Sequence, residues 1–207
     1  MKNEAIKKDW EGLYKKRIQQ HKNKYPNSEV ISFILRKYGK YNKDQRKKIK
    51  VLDLGCGWGN NLSFLKKEHF DSYGFDGSRT AIEQCKRFTD KVKAGLFNRL
   101  PYENDFFDII VDRNSLQCNN KKNMEQATGE IYRVLRPGGT FFSIILAQTS
   151  QPERFHAKYL KSKYSKLTKK ELRCLFNKFR DITFDYIKES FDNKRLTIFN
   201  WKLIIRK

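Results

Sequence analysis

The segment VLDLGCGWGN, residues 51–60, limits what this chain can fold into more than any other. An apolar run that includes an acidic residue, Asp53, leads into Gly55, Gly57 and Gly59 at alternate positions. Glycine at that spacing marks a sharp turn in which a backbone without Cβ atoms can come close to a ligand. A strand feeding such a turn and then a helix is the opening unit of an open α/β sheet, whose ligands sit beyond the carboxyl ends of its strands. Asn60 stands where the dinucleotide fingerprint G-x-G-x-x-G needs its third glycine, which argues against a nicotinamide dinucleotide.

The rest of the chain fits that opening. Short apolar runs at 50–55, 71–76, 91–95, 107–112 and 139–147 predict strands, alternating with helical patterns. One helix starts near Asn60, a second follows Ser78 as its N-cap, and a third covers 121–135 until Pro137-Gly138-Gly139 stops it. Thr168 with Glu171 forms a capping box ahead of Leu172, Leu175, Phe176 and Phe179. Residues 181–190 and 196–207 read as a hairpin turning at Asp192-Asn193, and residues 3–20 and 28–39 as two helices, with 36–50 a basic loop. The expected fold is α/β, a Rossmann-like doubly wound, mostly parallel seven-stranded sheet with a C-terminal antiparallel hairpin. One domain spans 1–207, divided into a helical cap at 1–48, a ligand-binding core at 49–147, and a closing helix and hairpin at 148–207.

A chain of 207 residues can bury a core without disulfides or metal. Its four cysteines, at 56, 85, 118 and 174, are spaced too widely for a CxxC pair or a zinc site, and its three histidines do not cluster. Cys85, Cys118 and Cys174 are expected to be small apolar residues, and no metal is expected. The N-terminus lacks a secretory or membrane-spanning apolar run, so a cytoplasmic protein without membrane contact is expected. The net charge of +22 is uneven: basic and acidic residues number 16 and 5 in 1–50, 13 and 12 in 51–150, and 16 and 6 in 151–207. Two basic arms flank a neutral middle, either as an anion-attracting field or as compositional bias in a Lys-, Asn-, Ile- and Phe-rich chain.

Asp76, twenty-one residues beyond Gly55, ends the second strand, where a carboxylate can accept hydrogen bonds from both hydroxyls of a ribose. With the glycine turn before it and LRPGGTFF ahead of the fifth strand, the chain resembles the class I S-adenosylmethionine-dependent methyltransferases. The likeness is to the small bacterial group related to the ubiquinone and menaquinone biosynthesis methyltransferases, and it runs from DWEGLYKK through LRPGGTFF. The resemblance implies S-adenosylmethionine as cofactor. It assigns Asp53, Gly55, Cys56, Gly57 and Gly59 to the loop around the methionine part, and Asp76 with Gly77 and Ser78 to the ribose. Trp10 and Tyr14 match a W-x-x-x-Y pattern on a helix that covers the cofactor. The stretch 94–108 departs from the family pattern, with Leu96 where an aspartate usually meets adenine, so backbone near Leu96 and the ring of Phe97 are expected to serve there.

Methyl transfer from a sulfonium chiefly requires that a nucleophile be held in line, so few catalytic side chains are needed. Asp112, at the end of the fourth strand, is the expected base or orienting group, and His156 a second. Arg113, Arg154 and Lys158, with Lys161 and Lys163, are expected to bind the acceptor, a small anionic molecule carrying phosphate or carboxylate. A nucleic-acid methyltransferase, RNA included, is the alternative suggested by the basic charge. Asp112-Arg113-Asn114-Ser115 is not the Pro-Pro-aromatic signature of base amino methylation, and no Pro-Cys pair is present. A regulator that binds S-adenosylmethionine without turnover is a third reading.

Overall fold

The computed structural model describes residues 2–17, 25–148, 165–191 and 196–207. Its strands are β1 (Lys50–Leu54), β2 (Asp71–Asp76), β3 (Val92–Ala94), β4 (Phe107–Arg113), β5 (Leu135–Leu146), β6 (Asp181–Phe191) and β7 (Leu196–Arg206). They form one sheet in the order β3-β2-β1-β4-β5-β7-β6. The first five run parallel and β7 is antiparallel to both β5 and β6, as the apolar runs and the hairpin signal lead one to expect. The helices are α1 (Lys2–Arg17), α2 (Ser28–Tyr38), α3 (Lys43–Arg46), α4 (Asn60–Lys67), α5 (Arg79–Cys85), α6 (Lys121–Val134) and α7 (Lys169–Leu175).

Alternation along each strand divides the core between the two faces of the sheet. Leu52, Leu54, Ile110, Phe141 and Leu203 point to one face, under Met124 and Ile131 of α6 and Leu172 of α7. Val51, Ile109, Val111, Phe142 and Ile144 point to the other, under Val30 and Ile34 of α2, Leu62 and Leu65 of α4, and Ile82 of α5. Phe33 of α2 lies flat on Phe142, ring centroids 4.5 Å apart. Asn27 caps α2, and its own amide reaches Asn61 Oδ1 at 3.1 Å, which ties the amino end of α2 to α4.

Three expectations need correction. β5 begins at Leu135, because Pro137-Gly138-Gly139 does not end the chain's pairing: Phe107 pairs with Leu135 and Ile109 with Thr140, so a bulge with Gly138 at φ 74° absorbs the extra residues. Within the expected basic loop, Asn42 and Gln45 build a capping box for α3. Cys174 is exposed and not a core residue. The Asp192-Asn193 turn and the end of the first expected helix at 18–20 lie outside the described residues.

Leu203 is fully buried where β7 meets the α6–α7 layer, while Thr168 only closes the capping box of α7. Leu203→Ala is therefore expected to cost about 2–5 kcal/mol and Thr168→Ala about 1 kcal/mol in denaturant unfolding. Equal losses would mean that the hairpin does not share the central core.

Candidate functional site

The carboxyl ends of β1, β2 and β4 meet at one edge of the sheet. Beyond Leu54 the chain doubles back, with the amides of Gly55 and Cys56 both donating to the Phe75 carbonyl at 2.7 and 3.2 Å. Gly55 and Gly57 take φ of 78° and 50°, which side chains rarely adopt. Added Cβ atoms would also collide, at Gly55 with Ser115 Oγ (2.1 Å) and at Gly57 with the Tyr14 hydroxyl (2.7 Å). The approach that glycine permits here is thus made by the protein's own side chains. Cys56 turns inward: the Cys85 thiol lies 3.7 Å from its sulfur and donates to the Gly57 carbonyl at 3.2 Å, so Cys56 offers a ligand only its backbone.

Three buried carboxylates hold this edge. Asp76 accepts the Gly57 amide on Oδ2 at 3.0 Å and the Ser78 amide on Oδ1 at 2.8 Å. Burial pushes its pKa up to about 6, while those amides restrain the rise. Asp53 accepts Asn61 Nδ2 on Oδ1 at 3.3 Å, and its Oδ2 is buried without a partner. Burial raises it to about 7; Asn61 opposes the shift, and the Asp112 and Asp76 charges add to it. Asp112 is fully buried, with the amides of Ser115 (3.0 Å) and Leu116 (3.1 Å) on Oδ1 and the Ser143 hydroxyl (2.7 Å) on Oδ2.

These bonds show what Asp112 does within the fold: its carboxyl ties down the turn after β4 and joins it to β5. Arg113 beside it is exposed, at the mouth of the edge. His156, Arg154, Lys158, Lys161 and Lys163 lie outside the described residues. Asn114 follows with φ 59° and a buried, unpartnered Oδ1. Leu96 and Phe97 are half-buried in the turn after β3; the Leu96 carbonyl accepts the Arg99 amide at 3.1 Å, and the Phe97 ring comes within 3.5 Å of where a Gly55 Cβ would stand. Gly77 adjoins the Gly95 carbonyl with room to spare.

α1 closes the edge from above. Tyr14 packs edge-on against Trp58, centroids 4.9 Å apart, with Trp10 6.1 Å behind. Burial drives the Tyr14 hydroxyl far above its ordinary pKa, and the neighbouring Asp76 charge adds to the effect. Sequence reasoning missed Glu11, which accepts the hydroxyls of Ser78 (2.6 Å) and Thr80 (2.7 Å) and so latches α1 onto the start of α5. Nothing in the local sequence signals a partner 67 residues away. Trp58 and Asn61 were missed too, although both sit within or beside the glycine segment. Among the described residues no group of three or more His, Cys, Asp or Glu is placed to hold a metal, and no helix is long and apolar enough to cross a membrane.

Comparison with known proteins matches residues 52–143 to a family described as "Methyltransferase domain". A phthiotriol/phenolphthiotriol dimycocerosates methyltransferase of Mycobacterium ulcerans is 29% identical over 132 residues, 60% of this chain and 48% of that one. A sarcosine/dimethylglycine N-methyltransferase of Aphanothece halophytica is 32% identical over 105 residues, 44% of this chain and 36% of the other. The chain thus spans about half the length, or less, of these curated relatives. An S-adenosylmethionine-dependent methyltransferase structure from Anabaena variabilis superposes with a TM-score of 0.70, covering 97% of this chain and 94% of that one. At 15% identity that likeness is one of fold.

Burial alone would raise the Glu11 pKa, but the hydrogen bonds from Ser78 and Thr80 outweigh it and hold the carboxyl at about 2, against an ordinary value of 4.5. A pKa depressed on folding stabilises the docked α1 above about pH 4.5, and that contribution disappears as pH falls toward 2. Acid titration of tryptophan fluorescence, which Trp10 and Trp58 report, is expected to show this step in the wild type and not in Glu11→Gln. Identical acid profiles would remove the latch.

Proposed function

We propose that this chain, whose residues 52–143 match a methyltransferase domain, is a class I, S-adenosylmethionine-dependent enzyme that methylates a small anionic acceptor by direct in-line transfer. The observation that carries the reading is the pairing of the glycine turn after β1 with the buried Asp76 at the end of β2. S-adenosylmethionine, when bound, supplies a methyl group on a cationic sulfur that is already a good leaving centre.

The residues present suit it. Asp76 has lone pairs left beyond its two amides for ribose hydroxyls, and Asp53 Oδ2, buried without a partner, is an acceptor for the amino end of the methionine part. Phe97, against Phe75 and close to Gly55, offers a ring for adenine, with backbone near Leu96 replacing the absent acidic side chain. Gly77 and Ser78 hold Asp76 in place, the latter through its amide. Trp10 and Tyr14 exclude water from the edge, and a ligand that meets Gly57 on that side displaces the Tyr14 hydroxyl.

Holding the reacting atoms in line can supply up to about 7–11 kcal/mol of the barrier, so few catalytic side chains are needed. Asp112 contributes by fixing the turn that presents Arg113, which anchors the acceptor's phosphate or carboxylate. His156 is the proposed base where the nucleophile must lose a proton, and Arg154 and Lys158 the further anion contacts. Small-molecule acceptors are also what the name of the sarcosine/dimethylglycine relative describes. Cys56 and Cys85, thiols 3.7 Å apart, suit a reducing, cytoplasmic setting.

Turnover of labelled S-adenosylmethionine against panels of carboxylates and phosphorylated metabolites, with bulk RNA as comparator, tests the reading. Label is expected in a small anion, with Arg113→Gln raising the acceptor KM about tenfold and leaving cofactor affinity within about twofold, as loss of a single charged anchor predicts. Label in RNA, with a loss of binding approaching 0.7 to 0.9 decades per decade of salt for each phosphate contacted, would establish the nucleic-acid alternative. Binding without turnover would establish the regulator.

Ribose hydroxyls donate to an ionised carboxylate, and Asp76 sits near pKa 6 when no ligand shares it. Cofactor affinity by calorimetry is therefore expected to fall at least about tenfold between pH 7 and pH 5, Asp53 at about 7 adding to the loss, with Asp76→Asn weaker at pH 7 and falling less steeply than the wild type across that range. A wild-type affinity independent of pH would remove Asp76 from the ribose.

A further inference from the structure

A cavity of about 350 Å³ opens between α2 and the β5–β7 part of the sheet. Phe33, Phe142 and Ile204 make its apolar floor, and Arg36, Lys37 and Thr140 stand at one end. Thr140 pairs with Ile109 and with Arg206, which places that end beside the amino ends of the parallel strands. The glycine turn and Asp76 lie at the opposite, carboxyl edge, so this cavity is separate from the methyl-transfer site.

Its charge is unbalanced in a particular place. Lys202 is met by Glu29 (3.2 Å) and Asp185 (2.7 Å), and Arg206 by Asp181 (3.0 Å). Lys37, in contrast, donates to a neutral hydroxyl, Thr140 Oγ1, at 2.7 Å, and neither it nor Arg36 forms an ion pair among the described residues. Burial and the neighbouring Arg206 and Arg136 cations lower the Lys37 pKa, with Asp108 opposing. Two adjacent cations above a floor of stacked rings are complementary to an anion attached to a flat apolar body. The volume falls within the range of small-molecule sites.

We propose that this cavity binds a small aryl phosphate or aryl carboxylate, its ring on Phe33 and Ile204 and its anionic group between Lys37 and Arg36. The apolar floor excludes inorganic phosphate as a sufficient ligand, and the cations exclude a neutral arene.

The test uses phenyl phosphate with the full chain, followed by calorimetry or by chemical-shift change, with inorganic phosphate and benzyl alcohol as its two halves. Phenyl phosphate is expected to bind at least tenfold tighter than either half. Lys37→Met and Arg36→Gln are each expected to weaken it at least fivefold without lowering the melting temperature, and Lys67→Gln, which removes one exposed charge on α4, to change it less than twofold. Saturating S-adenosylmethionine is expected to leave phenyl phosphate bound. No binding, an equal loss in Lys67→Gln, or displacement by S-adenosylmethionine would overturn the proposal, the last by putting the probe in the methyl-transfer site. These readouts need no turnover, so they stand or fall independently of the enzymatic reading.

Discussion

Buried carboxylates at the strand ends organise the functional edge. A parallel sheet leaves its carboxyl ends with turns whose amides have no ladder partner, and buried amides must be satisfied. Asp76 collects those of Gly57 and Ser78, which lie on either side of it in space, and thereby joins the glycine turn to the start of α5. Asp112 does the same within its own turn, and Ser143 joins it to β5. Each aspartate has a reduced tendency to ionise because of burial, and Asp53 also feels the charge of the other two. The edge therefore gathers three acidic groups in one buried place, and a cation bound beside them would favour their ionised forms.

The α1 helix depends on the same edge. Glu11 takes hydroxyls from the residues that follow Asp76, and Tyr14 fills the approach to Gly57. Among its described side chains, the attachment is polar at Glu11 and aromatic at Tyr14, through Trp58. A ligand reaching Gly57 thus competes with Tyr14 and not with the packed sheet, so entry need not disturb the core.

Much of this was legible in the sequence, for a physical reason. Parallel strands are buried on both faces, so they read as apolar runs, and those at 50–55, 71–76 and 107–112 match the observed β1, β2 and β4 to within a residue. The turn chemistry was legible where its partners are local, as in the Ser78 cap and the Thr168 capping box. Where partners are distant the signal fails. The Ser143 hydroxyl on Asp112 lies 31 residues on and leaves no local sign, and Glu11 reads as an ordinary helix charge because Ser78 and Thr80 are brought to it only by the fold. Pro137-Gly138-Gly139 carries a true turn signal, yet pairing with β4 continues through it as a bulge, since Leu135 is buried and holds the strand in place.

The distribution of charge changes meaning once the sheet is in view. If both basic arms formed the wall above the transferable methyl, their cations would all steer an anionic acceptor. Instead Arg36, Lys37 and Arg206 gather near Thr140, three residues along β5 from the Ser143 that meets Asp112. At about 3.3 Å per residue that is about 10 Å along the strand alone, already a Debye length at 0.1 M salt. Lys202 is level with Ile144, whose β4 partner is Arg113, but Glu29 and Asp185 neutralise it. Of the described cations on β4 and on these parts of the two arms, Arg113 is thus the one both exposed at the functional edge and without an ion pair. The proposed steering of an anionic acceptor would therefore draw, among the described residues, on Arg113, while the cations under α2 line a different cavity.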